Sequence, residues 1–119
     1  MTLKELLKNI KCKRTYLRKS SMTSGNAYRI TLTYKGEKCS FVFNDNHRNE
    51  SRKNDFLYCL VLDAQAYDLS RDIGDFIKSF GYADEWQSGV IAYNACKKQS
   101  ERLHRLFNDE EVELLSTIE

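Results

Sequence analysis

YRITLTYKGEKCSFVFN, residues 28–44, decides the fold. Apolar and polar residues alternate on both sides of a glycine, which is the period-two signature of two strands closed by a turn. The reading places a two-residue type II′ turn at Gly36-Glu37, joining a strand over residues 28–35 to one over residues 38–44. That register sets Tyr34 opposite Cys39, Leu32 opposite Phe41 and Ile30 opposite Phe43, so the large apolar residues share one face. Arg29, Thr31, Thr33, Lys35, Lys38 and Ser40 take the other face, which only Val42 interrupts.

Before the hairpin, Thr2 and Glu5 form a capping box for a short helix reaching Asn9, with Leu3, Leu6, Leu7 and Ile10 on one side. Residues 11–19 alternate charged and β-favouring types around Tyr16 and Leu17. They predict an edge strand whose lysines deter strand addition. Ser20 to Asn26 is a polar connection, and Asn44 to Asn54, with no residue suited to a core, is expected to be the least ordered stretch.

After the hairpin the period changes. Phe56, Leu57, Leu60, Val61, Ala64 and Tyr67 recur at helical spacing, as do Ile73, Phe76, Ile77 and Phe80 behind a Ser70 cap, with Gly81 closing the second helix. Asp84 and Gln87 form a capping box for a longer helix whose seam is Trp86, Val90, Tyr93, Cys96, Leu103 and Phe107. Gly89 weakens its first turns. Asn108 with Glu111 caps a terminal helix carrying Val112 and Leu115. Strands come first and helices follow. The expected fold class is α+β: a short N-terminal helix, a three-stranded antiparallel sheet, and three to four helices packed on one face. A length of 119 residues suits one domain.

The net charge of +2 hides an asymmetry. Residues 1–53 hold thirteen Lys or Arg against four Asp or Glu, whereas residues 54–119 hold six against thirteen. A basic sheet is therefore expected to face an acidic helical layer. The longest apolar run, Phe56 to Leu62, is far short of the ~20 residues needed to cross a bilayer. Charges among the first leucines do not fit a secretory signal. No membrane partner is expected, and the host bacterial cytoplasm is the expected location. Cys12, Cys39, Cys59 and Cys96 form no CxxC pair and read as free thiols.

The sequence holds no nucleophile elbow, P-loop or dinucleotide fingerprint. His47 and His104 lack a motif and read as solvated side chains. Asp63, Asp68, Asp72, Asp75, Asp84 and Glu85 are not at metal-ligand spacing. The chain therefore reads as non-catalytic, without metal or cofactor. Two surfaces remain as candidates for binding. Tyr82, Asp84, Glu85 and Trp86 offer aromatic and acidic groups suited to a protein partner, although Trp86 is expected to staple the helix start into the core. Lys11, Lys13, Arg14, Arg18, Arg29, Lys35 and Lys38 offer an alternative, a phosphate-tracking sheet face. That face has no aromatics for base stacking.

Several segments, AYRITLTY at 27–34, FVF at 41–43, LYCLVLDA at 57–64, DFIKSFGY at 75–82 and Tyr93 to Leu103, together resemble a widespread family of small accessory proteins encoded by tailed phages and prophages. Members of that family follow Gly-Tyr with an Asp-Thr-Asp-Ser type helix opening. Here the same place reads Ala83-Asp84-Glu85-Trp86. The resemblance implies a protein that binds and blocks a host machine, an anti-CRISPR or other anti-defence inhibitor. The implied partner is a host protein complex such as a CRISPR effector. The inhibitor itself would be a monomer or a homodimer.

Overall fold

A computed structural model describes residues 1–82 and 84–118. The elements run α1 (Leu3–Asn9), β1 (Lys11–Lys19), β2 (Asn26–Tyr34), β3 (Glu37–Asn44), α2 (Lys53–Leu69), α3 (Ile73–Ser79), α4 (Trp86–Leu106) and α5 (Asp109–Leu115). The strands form one antiparallel sheet in the order β1-β2-β3. The expected α+β architecture is what the chain adopts.

The hairpin keeps the expected faces but not the expected register. Tyr34 pairs with Glu37, Leu32 with Cys39, Ile30 with Phe41 and Tyr28 with Phe43. The turn is Lys35-Gly36, with φ of 49° and 80°. Positive φ at both central residues makes a type I′ loop, whose twist matches that of the flanking strands. The register differs by two residues from the expected one, and a two-residue shift leaves every side chain on its own face. The Lys35 ammonium lies 5.3 Å over the Tyr34 ring and 3.8 Å from Glu111.

One face of the sheet is dry. Tyr28, Ile30, Leu32, Tyr34, Cys39 and Phe41 pack with Leu6 and Ile10 from the α1 end, with Phe56, Leu57, Leu60, Val61 and Ala64 of α2, and with Leu103, Leu106, Phe107, Leu115 and Ile118. Lys53 secures α1 by donating to the carbonyls of Leu7 and Ile10 at 2.6 and 3.0 Å, which satisfies carbonyls at the helix end. Phe76 and Ile77 of α3 are buried outside this core. Phe76 instead stacks with Phe80 and Tyr93 at 4.7 and 5.6 Å.

The helix ends correct two expectations. Ser70 terminates α2, and the cap of α3 is Asp72, whose carboxylate accepts from the Asp75 N–H at 3.1 Å. Asp84 does not cap α4. Glu85 is the N-cap residue and makes no side-chain cap bond. The start of α4 is set by packing: a Cβ on Gly89 would sit 2.7 Å from Ile77 and 2.9 Å from Tyr82, so α4 crosses the α3 end where it carries no side chain. Gly81, at φ 79°, closes α3 as expected.

Asn108 and Glu111 form the expected capping box. Glu111 does more than cap, because it is buried and accepts a hydrogen bond from the Tyr34 hydroxyl. Burial alone would raise the Glu111 pKa, but the Tyr34 hydroxyl, the Asn108 N–H and the Lys35 ammonium together hold it below its ordinary value. Burial, reinforced by Glu111, pushes Tyr34 up to about 12. A depressed carboxylate contributes stability that is complete above its unfolded value of 4.5 and is lost as pH falls through the lower native value. Glu111→Gln is expected to cost about 1.5 kcal/mol at pH 7 and clearly less at pH 3, read by urea unfolding at both pH values.

Candidate functional site: an apolar groove on the helical layer

α2 carries apolar residues around its whole circumference, and only one side of it is covered. Its inner rows are in the core, whereas Tyr58, Leu62 and Leu69 are 46%, 51% and 84% exposed. They fall at i, i+4 and i+11 and therefore lie on one stripe, which the exposed Gln65 at i+7 interrupts. Asp55 is the single charge among the exposed residues of this helix, in a chain where charged residues make up 30%. A helix that is apolar all round is normally enclosed on all sides.

Beside this stripe, α2, α3 and α4 wall a cavity of about 470 Å³. Leu62, Leu69, Phe76, Phe80 and Tyr82 make up half of its lining, and Asp63 and Gln65 of α2 and Cys96 of α4 are among the rest. The elements hold these groups in place through the Phe76–Phe80 stack and the close crossing at Gly89, which positions Tyr82. Burial, then the neighbouring Asp63 carboxylate, pushes the Cys96 thiol up to about 11, so at neutral pH it is a thiol and a poor nucleophile. Burial likewise raises the Asp63 pKa, and a hydrogen bond with Gln99 offsets only part of that.

Of the four residues proposed for a protein partner, Tyr82 lines the cavity, while Asp84, Glu85 and Trp86 are exposed and do not line it. Trp86 is 56% exposed and does not staple α4 into the core. Ala83 lies outside the described residues. Sequence reasoning missed Leu62, Leu69 and Phe80 as surface groups. The signal was that Leu62 and Leu69 fall outside the apolar seam that helical periodicity assigns to α2.

The basic residues do not all share a face. Lys11, Lys13, Arg29 and Lys38 are exposed on the side of the sheet turned away from the helices, among Thr15, Thr31, Thr33 and Ser40. Arg14 lies on the opposite face. Its guanidinium covers the Tyr28 ring at 4.5 Å, donates to the carbonyls of Asn49 and Ser51, and approaches Asp45 at 3.8 Å. Lys35 is taken by the turn, and Arg18 follows an irregularity at Tyr16/Arg18 that breaks the alternation.

His104 is not merely solvated. Its Nε2 lies 2.8 Å from Asp68 Oδ2, and the Ser100 hydroxyl donates to Asp68 Oδ1 at 2.7 Å. Partial burial opposes it, but these two bonds hold the Asp68 carboxyl below the usual range. A nucleophilic triad needs the imidazole between hydroxyl and carboxylate. Here the carboxylate stands in the middle, so the trio ties α2 to α4 without activating Ser100. His47 is exposed in the loop after β3. Among the described residues no three His, Cys, Asp or Glu side chains are grouped to hold a metal ion, and no helix is long and apolar enough to cross a membrane.

Comparison of the chain with protein-family models, with curated proteins and with solved structures finds no match.

Proposed function

We propose that this protein works by binding, using the apolar groove between α2, α3 and α4 to dock onto a host protein complex and block it. The anti-CRISPR or anti-defence role is the form of this proposal that the phage-family resemblance implies, with the bacterial cytoplasm as its setting. The observation that supports binding is the exposed set Tyr58, Leu62 and Leu69, of which Leu62 and Leu69 line a cavity with Phe80 and Tyr82. Contiguous apolar surface of this kind is a feature of interaction sites, and aromatic groups dominate their energetics. Expression in a bacterium whose CRISPR system targets a phage is expected to restore plaquing. The double change Leu69→Asp, Phe80→Asp removes apolar area from exposed positions and is expected to cut that protection at least ~100-fold. Full protection by the double variant would sink the groove as the contact surface, and no protection by the wild type would sink the anti-CRISPR role.

A second reading is favoured by the open sheet face, where Lys11, Lys13, Arg29 and Lys38 stand among hydroxyls with no carboxylate between them. Such a face suits a phosphate backbone. Binding of RNA or DNA would weaken steeply with salt, and Lys13→Glu with Arg29→Glu would lower affinity about equally for all sequences. A gel shift at 50 and 200 mM salt, roughly the range over which such contacts lose most of their strength, decides it. Retardation that is absent or indifferent to salt retires this reading.

A further inference from the structure

Asp63 stands where a carboxylate is costly. It lies where three depressions meet: the cavity between α2, α3 and α4, one of about 530 Å³ that includes Val42 and Ile91, and one of about 330 Å³ that reaches Met22. Leu62 shares two of the three with it. Gln99 hydrogen-bonds it, and Gln99 Oε1 is itself occupied by Arg102 at 2.7 Å. Among the described residues no Lys, Arg or His nitrogen comes within 4.0 Å of its oxygens.

A half-buried carboxylate with no cation beside it destabilises its surroundings, because burial without a partner penalises the charged form. Nothing in the packing of α2 needs it, since the core rows of that helix are complete without it. What such a group suits is an incoming cation. Among the described residues Asp63 is the one charged side chain in the lining of the cavity between α2, α3 and α4, whereas Lys98 and Arg102 line the 530 Å³ depression with it. The stripe from Tyr58 to Leu69 spans twelve residues, about 16 Å of helix from first to last, which is the length a docked helix of three turns would follow.

Resting on the binding role proposed above, we infer that the groove accepts a basic amphipathic helix of the partner. Its aliphatic side chains lie between Leu62, Leu69 and Phe80, and a Lys or Arg one turn away pairs with Asp63. This is helix-in-groove recognition: apolar anchors at i, i+3 and i+4 supply the affinity, and one buried charge pair sets the partner's sign.

The test uses the full chain with two fluorescein-labelled model helices of about 18 residues, one of Leu and Lys in amphipathic order and its twin with Glu for every Lys. Fluorescence anisotropy is expected to show the Lys helix binding at least ~10-fold more tightly than the Glu helix. Asp63→Asn keeps the shape and the Gln99 partner, and it is expected to weaken the Lys helix about 10-fold while leaving the melting temperature unchanged or raised. Equal binding of the two helices, no binding of the Lys helix, or an unchanged affinity in Asp63→Asn would each overturn the inference. So would sedimentation showing a dimer of the chain that Leu69→Asp dissociates, since the groove would then belong to a second copy. These outcomes are separable from failure of the binding role. Protection lost in Leu69→Asp, Phe80→Asp, together with indifference to peptide charge, rejects only the basic helix.

Discussion

Gly25→Ala is expected to destabilise the protein by at least about 3 kcal/mol, the largest effect among the five glycines. Gly25 is buried where the β1–β2 connection lies against the segment after β3. A Cβ there would overlap the Asn46 carbonyl oxygen, sit 2.6 Å from its carbon and come within 2.8 Å of the Asp45 carbonyl oxygen. All three obstacles are backbone, so no side chain can turn aside to make room. The backbone itself is anchored: the Asp45 N–H donates to Asn26 O at 2.9 Å, the Thr23 hydroxyl donates to Asp45 O, and the Asn26 N–H donates to Asn49 Oδ1 at 2.7 Å. Separating the two segments would break these bonds together. Thermal unfolding should show a midpoint lowered by roughly 12 °C, and a shift under about 3 °C would contradict this account.

Asp45→Ala is expected to cost about 3 kcal/mol through the same region by a different mechanism. Asp45 is fully buried. Its carboxylate accepts from the N–H of Asn46 at 2.7 Å, the N–H of Ser51 at 3.2 Å and the Ser51 hydroxyl at 2.5 Å, and the Arg14 guanidinium lies 3.8 Å away. Removing it leaves those part-buried donors without their acceptor, and a donor left unsatisfied away from water carries about 1–3 kcal/mol. Asp45→Asn should recover part of the loss, since the amide oxygen can still accept while its NH₂ group faces donors. Denaturant unfolding of the two variants measures both effects, and equal stabilities would show that the hydrogen bonds are not what holds the loop.

Both predictions fall on stretches that, taken residue by residue, look like solvent-exposed connections. Residues 44–54 contain no large apolar side chain. A reading by hydropathy therefore leaves them without order, yet Asp45 organises them as a buried acceptor reached by two backbone N–H groups and a hydroxyl. Nothing local marks it, because its donor at Ser51 is six residues away and Arg14 comes from another strand. The groove escaped the sequence for the complementary reason. Leu62 and Leu69 have the hydropathy of core residues, and whether a helix row is covered depends on how many neighbours surround the helix. Tyr82 was legible as a surface aromatic, and the place of Leu62 and Leu69 off the apolar seam of α2 was available as a signal.

The alternation of residues 28–44, the helical periods after them and the caps at Thr2 and Asn108 determined the α+β class, the sheet face that is buried and the order of elements. These are local properties, fixed by side-chain period and by hydrogen bonds spanning three residues. Tertiary structure alone decided the two-residue register of the hairpin, the burial of Asp45 and Glu111, and the uncovered side of α2. A shift of two residues leaves the alternation unchanged, and burial of a polar or apolar group depends on partners far away in the chain. No local pattern carries that information.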